Sequence, residues 1–372
     1  MLHTMRILLF ILCSQIAATL AAAEFPSQPI NVIVPFNAGG GSDTFVRILQ
    51  KAMAKENISP EPWVVINQGG AGGTIGSRNA KDADPDGHTI LCLHDAIYTA
   101  QHYGTADWGP ADFAPIAATG RSGVVIAVRE NSPFQSFAEL MNRATAHPFT
   151  IVYGTNLGAP SHYSALFLER AKKGVKFRFT QTGGGAKRLA QLKGGHIDVT
   201  SFSVAEFVSF HGAGIRALAV LSDERESALP DTPTATEEGI VARHSLTQYW
   251  WAPKGTPPER VEALAEWLRR VMQTQPVRQR LSELHIEPVF LTGDQLRQSI
   301  ANREWELKEI KVNAPPSLPP FEWIALGLAV VFGLVFPVLQ RRMFMVAGGV
   351  AVQDRVSKLV VALPACQAQR CR

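Results

Sequence analysis

Across residues 24–312 short apolar runs alternate with amphipathic stretches, the pattern of parallel sheets covered by helices. Strands are expected at Ile30 to Val34, Trp63 to Ile66, Thr89 to Leu93, Val124 to Val128, Thr150 to Tyr153, Ile197 to Thr200 and Ile215 to Leu221. Between them, Asp43 to Ala54 places Phe45, Ile48, Leu49 and Met53 on one helical face. Thr74 to Lys81, Ser161 to Lys172 and Ala186 to Leu192 read as further helices. From Pro257 the chain turns helical: Pro258 to Gln273, Gln275 to Leu284 and Asp294 to Lys311, with Thr256 as N-cap and Pro257 in the first turn. A second βα series begins near Val124 to Glu130, and the chain returns near Leu221 to Glu226. This predicts a discontinuous first lobe (24–124 and 224–312), a second lobe (125–223), and a hinged cleft between them.

Two apolar stretches bracket this body. Arg6, the run Ile7 to Leu20 and Ala21-Ala22-Ala23 make residues 1–23 an export signal. After a linker at 313–320, Phe321 to Leu339 forms an apolar run whose only charge is Glu322. As a helix at ~1.5 Å per residue it would span about 28 Å, close to the ~30 Å of bilayer hydrocarbon. Arg341 and Arg342 follow it, which predicts a basic cytoplasmic tail at 340–372 and an extracytoplasmic body anchored to the inner membrane through 321–339. Pro337 inside the run keeps a buried core helix open as the alternative.

The net charge of +4 resides at the ends. The tail holds Arg341, Arg342, Arg355, Lys358, Arg370 and Arg372 against Asp354, and Arg6 lies in the signal, so residues 24–339 carry −2. Such a body does not present the basic face of a nucleic-acid binder. Of the cysteines left after the signal, Cys92 sits in the apolar run Ile90 to Leu93 as a core thiol, and Cys366 and Cys371 lie in the tail. No disulfide framework is expected.

Two glycine-rich segments follow strands and open helices: Pro35-Phe36-Asn37-Ala38-Gly39-Gly40-Gly41-Ser42-Asp43-Thr44 and Asn67-Gln68-Gly69-Gly70-Ala71-Gly72-Gly73-Thr74. Glycines let successive N–H groups turn inward as a concave donor nest, and the helix start adds partial positive charge. Neither segment brings a lysine or arginine, which suits a carboxylate rather than a polyphosphate. Asp43 acting as a helix cap is the plainer reading. In the second lobe, Tyr153 to His162 repeats the strand, polar turn and helix start, with Ser161 as cap, ligand donor or both. Thr182-Gly183-Gly184-Gly185-Ala186 opens another helix, whose Lys187-Arg188 pair reads as a solvated face.

Enzyme signatures are missing: no G-x-G-x-x-G, no G-x-x-x-x-G-K-[ST], no H-E-x-x-H and no G-x-S-x-G. The ten histidines show no metal-ligand spacing. The expectation is a binding protein without cofactor or metal.

Taken in order, further segments resemble one family. They include Phe25-Pro26-Ser27-Gln28-Pro29-Ile30, Asp84-Pro85-Asp86-Gly87-His88-Thr89, Leu192-Lys193-Gly194-Gly195-His196-Ile197-Asp198, Leu229-Pro230-Asp231-Thr232-Pro233-Thr234 and Ala252-Pro253-Lys254-Gly255-Thr256-Pro257. With the glycine loops, these are similar to the extracytoplasmic solute receptors of tripartite tricarboxylate transporters, the Bug family. The resemblance implies an α/β, two-lobed, type II-like periplasmic-binding-protein fold, here with one C-terminal transmembrane helix added. It implies a small organic acid or acidic metabolite as ligand and the membrane subunits of a tripartite transporter as partners. Carried over, one ligand carboxylate falls to Asn37, Ala38, Gly39, Gly40, Ser42, Asp43 and Thr44 with Ala71, Gly72, Gly73 and Thr74. Thr155, Asn156, Ser161 and His162 become the selective wall, joined by Gly183. Asp198 is either the partner of a ligand ammonium or structural. Phe179-Thr180-Gln181-Thr182-Gly183 departs from the family's Tyr-x-Gly pattern, and His94-Asp95 puts charge near the cleft. The leading expectation is therefore a carboxylate receptor for transport, with a membrane-tethered sensor as the alternative.

Overall fold

The computed structural model describes residues 25–210 and 212–310. The expected signal (1–23), linker (313–320), membrane span (321–339) and tail (340–372) lie outside the described residues. Among those described, no helix is long and apolar enough to cross a membrane.

In the first lobe, β1 (Ile30–Val34) lies parallel between β2 (Trp63–Asn67) and β3 (Thr89–Leu93). The strands lead into α1 (Gly41–Lys55), α2 (Thr74–Lys81) and α3 (Ala96–Tyr103). The chain then enters β4 (Phe113–Arg129), a strand long enough to serve both lobes. Up to Gly123 it pairs antiparallel with β9 (Ser245–Pro253). From Val124 it pairs with β7 (Val199–Ser203) and β8 (Ile215–Val220) instead. The second lobe adds α4 (Phe137–Ala146), β5 (Val152–Thr155), α5 (Pro160–Ala171), β6 (Arg178–Gln181), α6 (Gly185–Lys193) and α7 (Val204–Ser209). After β9, α8 (Pro258–Met272), α9 (Gln275–Glu283), β10 (Glu287–Leu291) and α10 (Gly293–Lys308) complete the first lobe. The main strand order is β2-β1-β3-β9-β4-β7-β5-β6.

Each lobe buries its own apolar residues. One first-lobe cluster packs Phe45, Leu49 and Met53 of α1 with Leu264 and Leu268 of α8 around Val32 and Trp250. The opposite cluster joins Ile97 and Tyr98 of α3 to Leu296 and Leu307 of α10. In the second lobe, Phe137 and Leu140 of α4 and Leu168 of α5 pack against Ile126, Val128 and Tyr153. Side chains of this size contribute about 1.5–3 kcal/mol each when fully buried.

Several expectations need correction. The sheet is not purely parallel, because β4, β8, β9 and β10 run antiparallel to their neighbours. The return to the first lobe comes at His244–Ser245 rather than at 221–226: Ala235, Ile240 and Ala242 belong to the second-lobe core, and residue 245 begins β9. Thr256 does not cap α8; its hydroxyl turns back to the Pro253 carbonyl, 2.8 Å away, and Pro257 takes the N-cap position. Cys92 is the expected core thiol, fully buried and without a disulfide partner among the described residues, and burial pushes its pKa up.

A cleft between two glycine-opened helices

The parallel strands β1, β3, β5, β6 and β7 all deliver their carboxyl ends to one inter-lobe cleft, the usual place for a ligand in open α/β sheets. Its cavity volume is about 110 Å³, enough for a small organic acid but not a nucleotide. The first-lobe wall is the turn after β1 with the start of α1: Asn37, Ala38, Gly40, Gly41 and Ser42. Facing it are Asn156 and Ser161 of the second lobe and the start of α6. Thus Asn37, Ala38, Gly40, Ser42, Asn156 and Ser161, all expected from the sequence, line one space.

Local hydrogen bonding explains this shape. The first intrahelical bond at the start of α1 runs from Thr44 N–H to the Gly40 carbonyl, 2.9 Å. Helix geometry therefore leaves the N–H groups of Gly41, Ser42 and Asp43 without intrahelical acceptors. Ser42 Oγ stands 3.4 Å from the Gln248 carboxamide, which links the helix start to β9. In the second lobe, Ser161 Oγ accepts from Asn156 N–H at 3.1 Å and meets Thr155 Oγ1 at 2.9 Å. Ser161 is therefore committed to its own turn as well as facing the cleft. Gln181 braces the same turn, accepting from Leu157 N–H at 2.7 Å and donating to the Asn156 side-chain oxygen.

The remaining expected residues stand elsewhere. Asp43 is 3% exposed and turned inward, accepting from Gly39 N–H, Arg47 and Asn67 at 2.9 Å each. Burial alone would raise its pKa; these donors outweigh burial and hold it below the usual carboxylate range. Asp43 thereby ties the first glycine turn to the end of β2, with Gly39 and Thr44 as part of that scaffold. Ala71, Gly72, Gly73 and Thr74 do not line the cavity. Their left-handed backbone, with φ of 43°, 73° and 100° at Ala71, Gly72 and Gly73, folds into a 3-10 turn closed by Gly73 N–H to Gly70 O and by Thr74 Oγ1 to Ala71 O. A Cβ at Gly72 would stand 3.9 Å from the Leu157 carbonyl, so this loop meets the second lobe beside the cavity.

Thr155 is fully buried beneath the Asn156 turn. His162 points into the core, edge-on to Phe179 and Tyr103 with ring centroids at 4.6 and 5.2 Å. Asp198 is structural: its carboxylate accepts from Val152 N–H at 2.8 Å at the starting end of β5 and β7, opposite to the cleft. Gly183, with φ 94°, lends its carbonyl to Arg188 Nη1 at 3.0 Å.

That arginine is the main residue the sequence reading misplaced. Arg188 is 7% exposed, lies over the Phe202 ring at 5.5 Å and lines the cleft instead of a solvated face. Glu206 of α7 stands beside it, with Nη2 to Oε2 at 3.9 Å. For Glu206 the legible signal was the pattern Ser203-Val204-Ala205-Glu206, a capping box placed directly after β7. His94 also lines the cleft, stacked on Phe36 at 5.1 Å. Burial, then the nearby Arg188 charge, lowers its pKa to about 4, leaving a neutral hydrogen-bonding ring. Its neighbour Asp95 brings no charge to the cleft, being fully buried and paired with Arg303 of α10.

The family model for the tripartite tricarboxylate transporter family receptor (TctC) matches residues 45–312. A UPF0065 protein from the TAR-I ttuE-ttuC' intergenic region of Agrobacterium vitis is 32% identical over 72% of this chain and 78% of its own. Protein BugT of Bordetella pertussis is 28% identical over 79% of this chain and 91% of its own. Among solved structures, the periplasmic binding protein BugD superposes with a TM-score of 0.71 at 29% identity, covering 77% of this chain and 97% of that one. MatC from Rhodopseudomonas palustris, solved with bound malate, gives 0.70 at 26% identity over 77% and 99%. A second R. palustris protein, solved with adipate, gives 0.69 at 25% identity over 77% and 96%. With that likeness running through both lobes, the chain belongs to the tripartite tricarboxylate transporter receptor family and has its two-lobed α/β binding-protein fold.

Proposed function

We propose that this protein is an extracytoplasmic receptor that captures a small carboxylate between its lobes and hands it to the membrane subunits of a tripartite transporter. The carrying observation is the meeting of two helix starts, Gly41-Ser42 and Gly184-Gly185, with the buried Arg188 cation in one small cavity. Unpaired N–H groups and a guanidinium fork both fit carboxylate oxygens. Malate in MatC and adipate in the second R. palustris protein support the same ligand chemistry. In this reading Asn37, Ala38, Gly40 and Ser42 hold one carboxylate. Asn156, Ser161 and Arg188 read the rest, while Asp43, Thr155 and the 71–74 loop keep the walls in place.

A thermal-shift panel of di- and tricarboxylates and acidic amino acids on ligand-stripped protein tests this. A true ligand at 100 times Kd stabilises the fold by about 2.7 kcal/mol, and a flat response to every acid defeats the reading. The tether is a second part of the proposal, supported by the apolar run Phe321 to Leu339 and the arginines after it. Carbonate washing of membranes should leave the full-length chain in the pellet; release with soluble proteins would exclude an integral anchor.

A further inference from the structure

We propose that Arg188 and Glu206 act as a paired reader that selects ligands bearing a cationic nitrogen beside their carboxylates, in preference to plain diacids. This rests on the carboxylate-receptor reading and narrows its ligand class. The Arg188 guanidinium spends only Nη1, on the Gly183 carbonyl at 3.0 Å. Its Nε is buried without a partner among the described residues, and Nη2 stands 3.9 Å from Glu206, too far for a hydrogen bond. A buried cation with unspent donors is a ready site for a ligand carboxylate.

Glu206 is its opposite. Its Oε2 faces Ser203 N–H at 3.3 Å and Ser203 Oγ at 3.4 Å, whereas Oε1 has no donor among the described residues. Oε1 occupies the gap between the two helix starts. A Cβ at Gly185 would lie 2.2 Å from it, and one at Gly41 would lie 3.1 Å from Glu206 Cγ. The missing Cβ atoms of these two glycines, one from each lobe, leave the room in which this carboxylate lies. A plain diacid lying between them would set a second anion against Glu206 where little water screens the repulsion. An ammonium carried by the ligand satisfies Oε1 and removes that repulsion, while the ligand carboxylates take Arg188 and the start of α1.

Isothermal titration of the full chain with succinate against aspartate, and glutarate against glutamate, reads this directly. The amino acids are expected to bind at least about tenfold tighter than their amine-free counterparts, the effect of one charge-assisted hydrogen bond. In Glu206→Gln, which keeps the side-chain shape and the acceptor for Ser203, that ratio should fall about tenfold through weaker amino-acid binding. Diacids binding as tightly as amino acids to the unaltered chain would overturn the inference and leave the receptor reading standing. So would an unchanged ratio in a Glu206→Gln protein with normal melting. If none of the four acids binds, the receptor reading and this inference fall together for these acids.

Discussion

His162 shows how burial assigns a side chain its role. Beside Ser161 at a helix start it had the credentials of a ligand contact, yet it is 4% exposed and packs against aromatic edges. Burial lowers its pKa to about 4. The unfolded chain takes up this proton as pH falls below about 6.5, whereas the folded chain resists until about 4. Stability contributed by the neutral ring is thus complete above about 6.5 and declines through the window, by up to about 1.4 kcal/mol per pH unit. His94 and His244 are shifted in the same direction and steepen the decline. Urea unfolding of the unaltered protein should show stability falling between pH 6.5 and 4.5, and His162→Phe should flatten the slope by about one proton. An identical slope in the variant would refute the assignment. Ser42 and Asn156 were legible as cleft residues because each follows the carboxyl end of a parallel strand, where the cleft of such a sheet lies. Arg188 was not, because nothing local to Lys187-Arg188 tells which of two adjacent cations turns inward.

At the scale of elements, α6 shows why a glycine is needed without unusual backbone angles. Gly185 is not among the left-handed residues, so what it offers is space alone. The missing Cβ leaves room for the Glu206 carboxylate carried by α7. Gly185→Ala should displace Glu206 and weaken ligand binding by about tenfold or more, a loss in binding rather than in folding because the atoms met are the free end of a flexible side chain. In a Glu206→Ala background the same substitution should cost much less, and additivity in the double-mutant cycle would show that the two residues do not meet. The helix itself was readable from its glycine-rich start and periodic apolar positions. The contact across α6 and α7 was not, since it depends on how two crossovers settle at the carboxyl ends of β6 and β7.

For the whole molecule, a buried polar chain runs along the seam between lobes. Arg303 of α10 donates through Nε to Asp95 at 2.8 Å and through Nη2 to the Ser245 carbonyl at 3.0 Å, where β9 begins. Next to it His244 Nδ1 meets Ser164 Oγ of α5 at 2.9 Å. The chain passes from the first lobe, through the return crossing, to a cleft-lining residue of the second. Arg303→Met strands Asp95 in the core and should lower the unfolding free energy by about 3–5 kcal/mol in chemical denaturation. A loss below about 1 kcal/mol would mean that the pair is solvated and is not a keystone of the seam.

Local alternation and helical periodicity were enough to read β1 to β3, α1, α2, α5, α6 and α8 to α10, because those elements follow from which face each side chain must bury, whereas α3, α4, β6, α7, β9 and β10 were not read. The first glycine turn could be read as an anion nest for the same local reason. The tertiary structure alone decided that β9 and β10 join the first-lobe sheet antiparallel to β4, that residues 224–244 stay with the second lobe, and that Asp43 and Asp198 brace the scaffold. It also decided that Arg188 and Glu206 face each other in the cleft. These are long-range outcomes: a charged side chain turns inward only where partners from distant segments offset its desolvation, and no single stretch of sequence contains those partners.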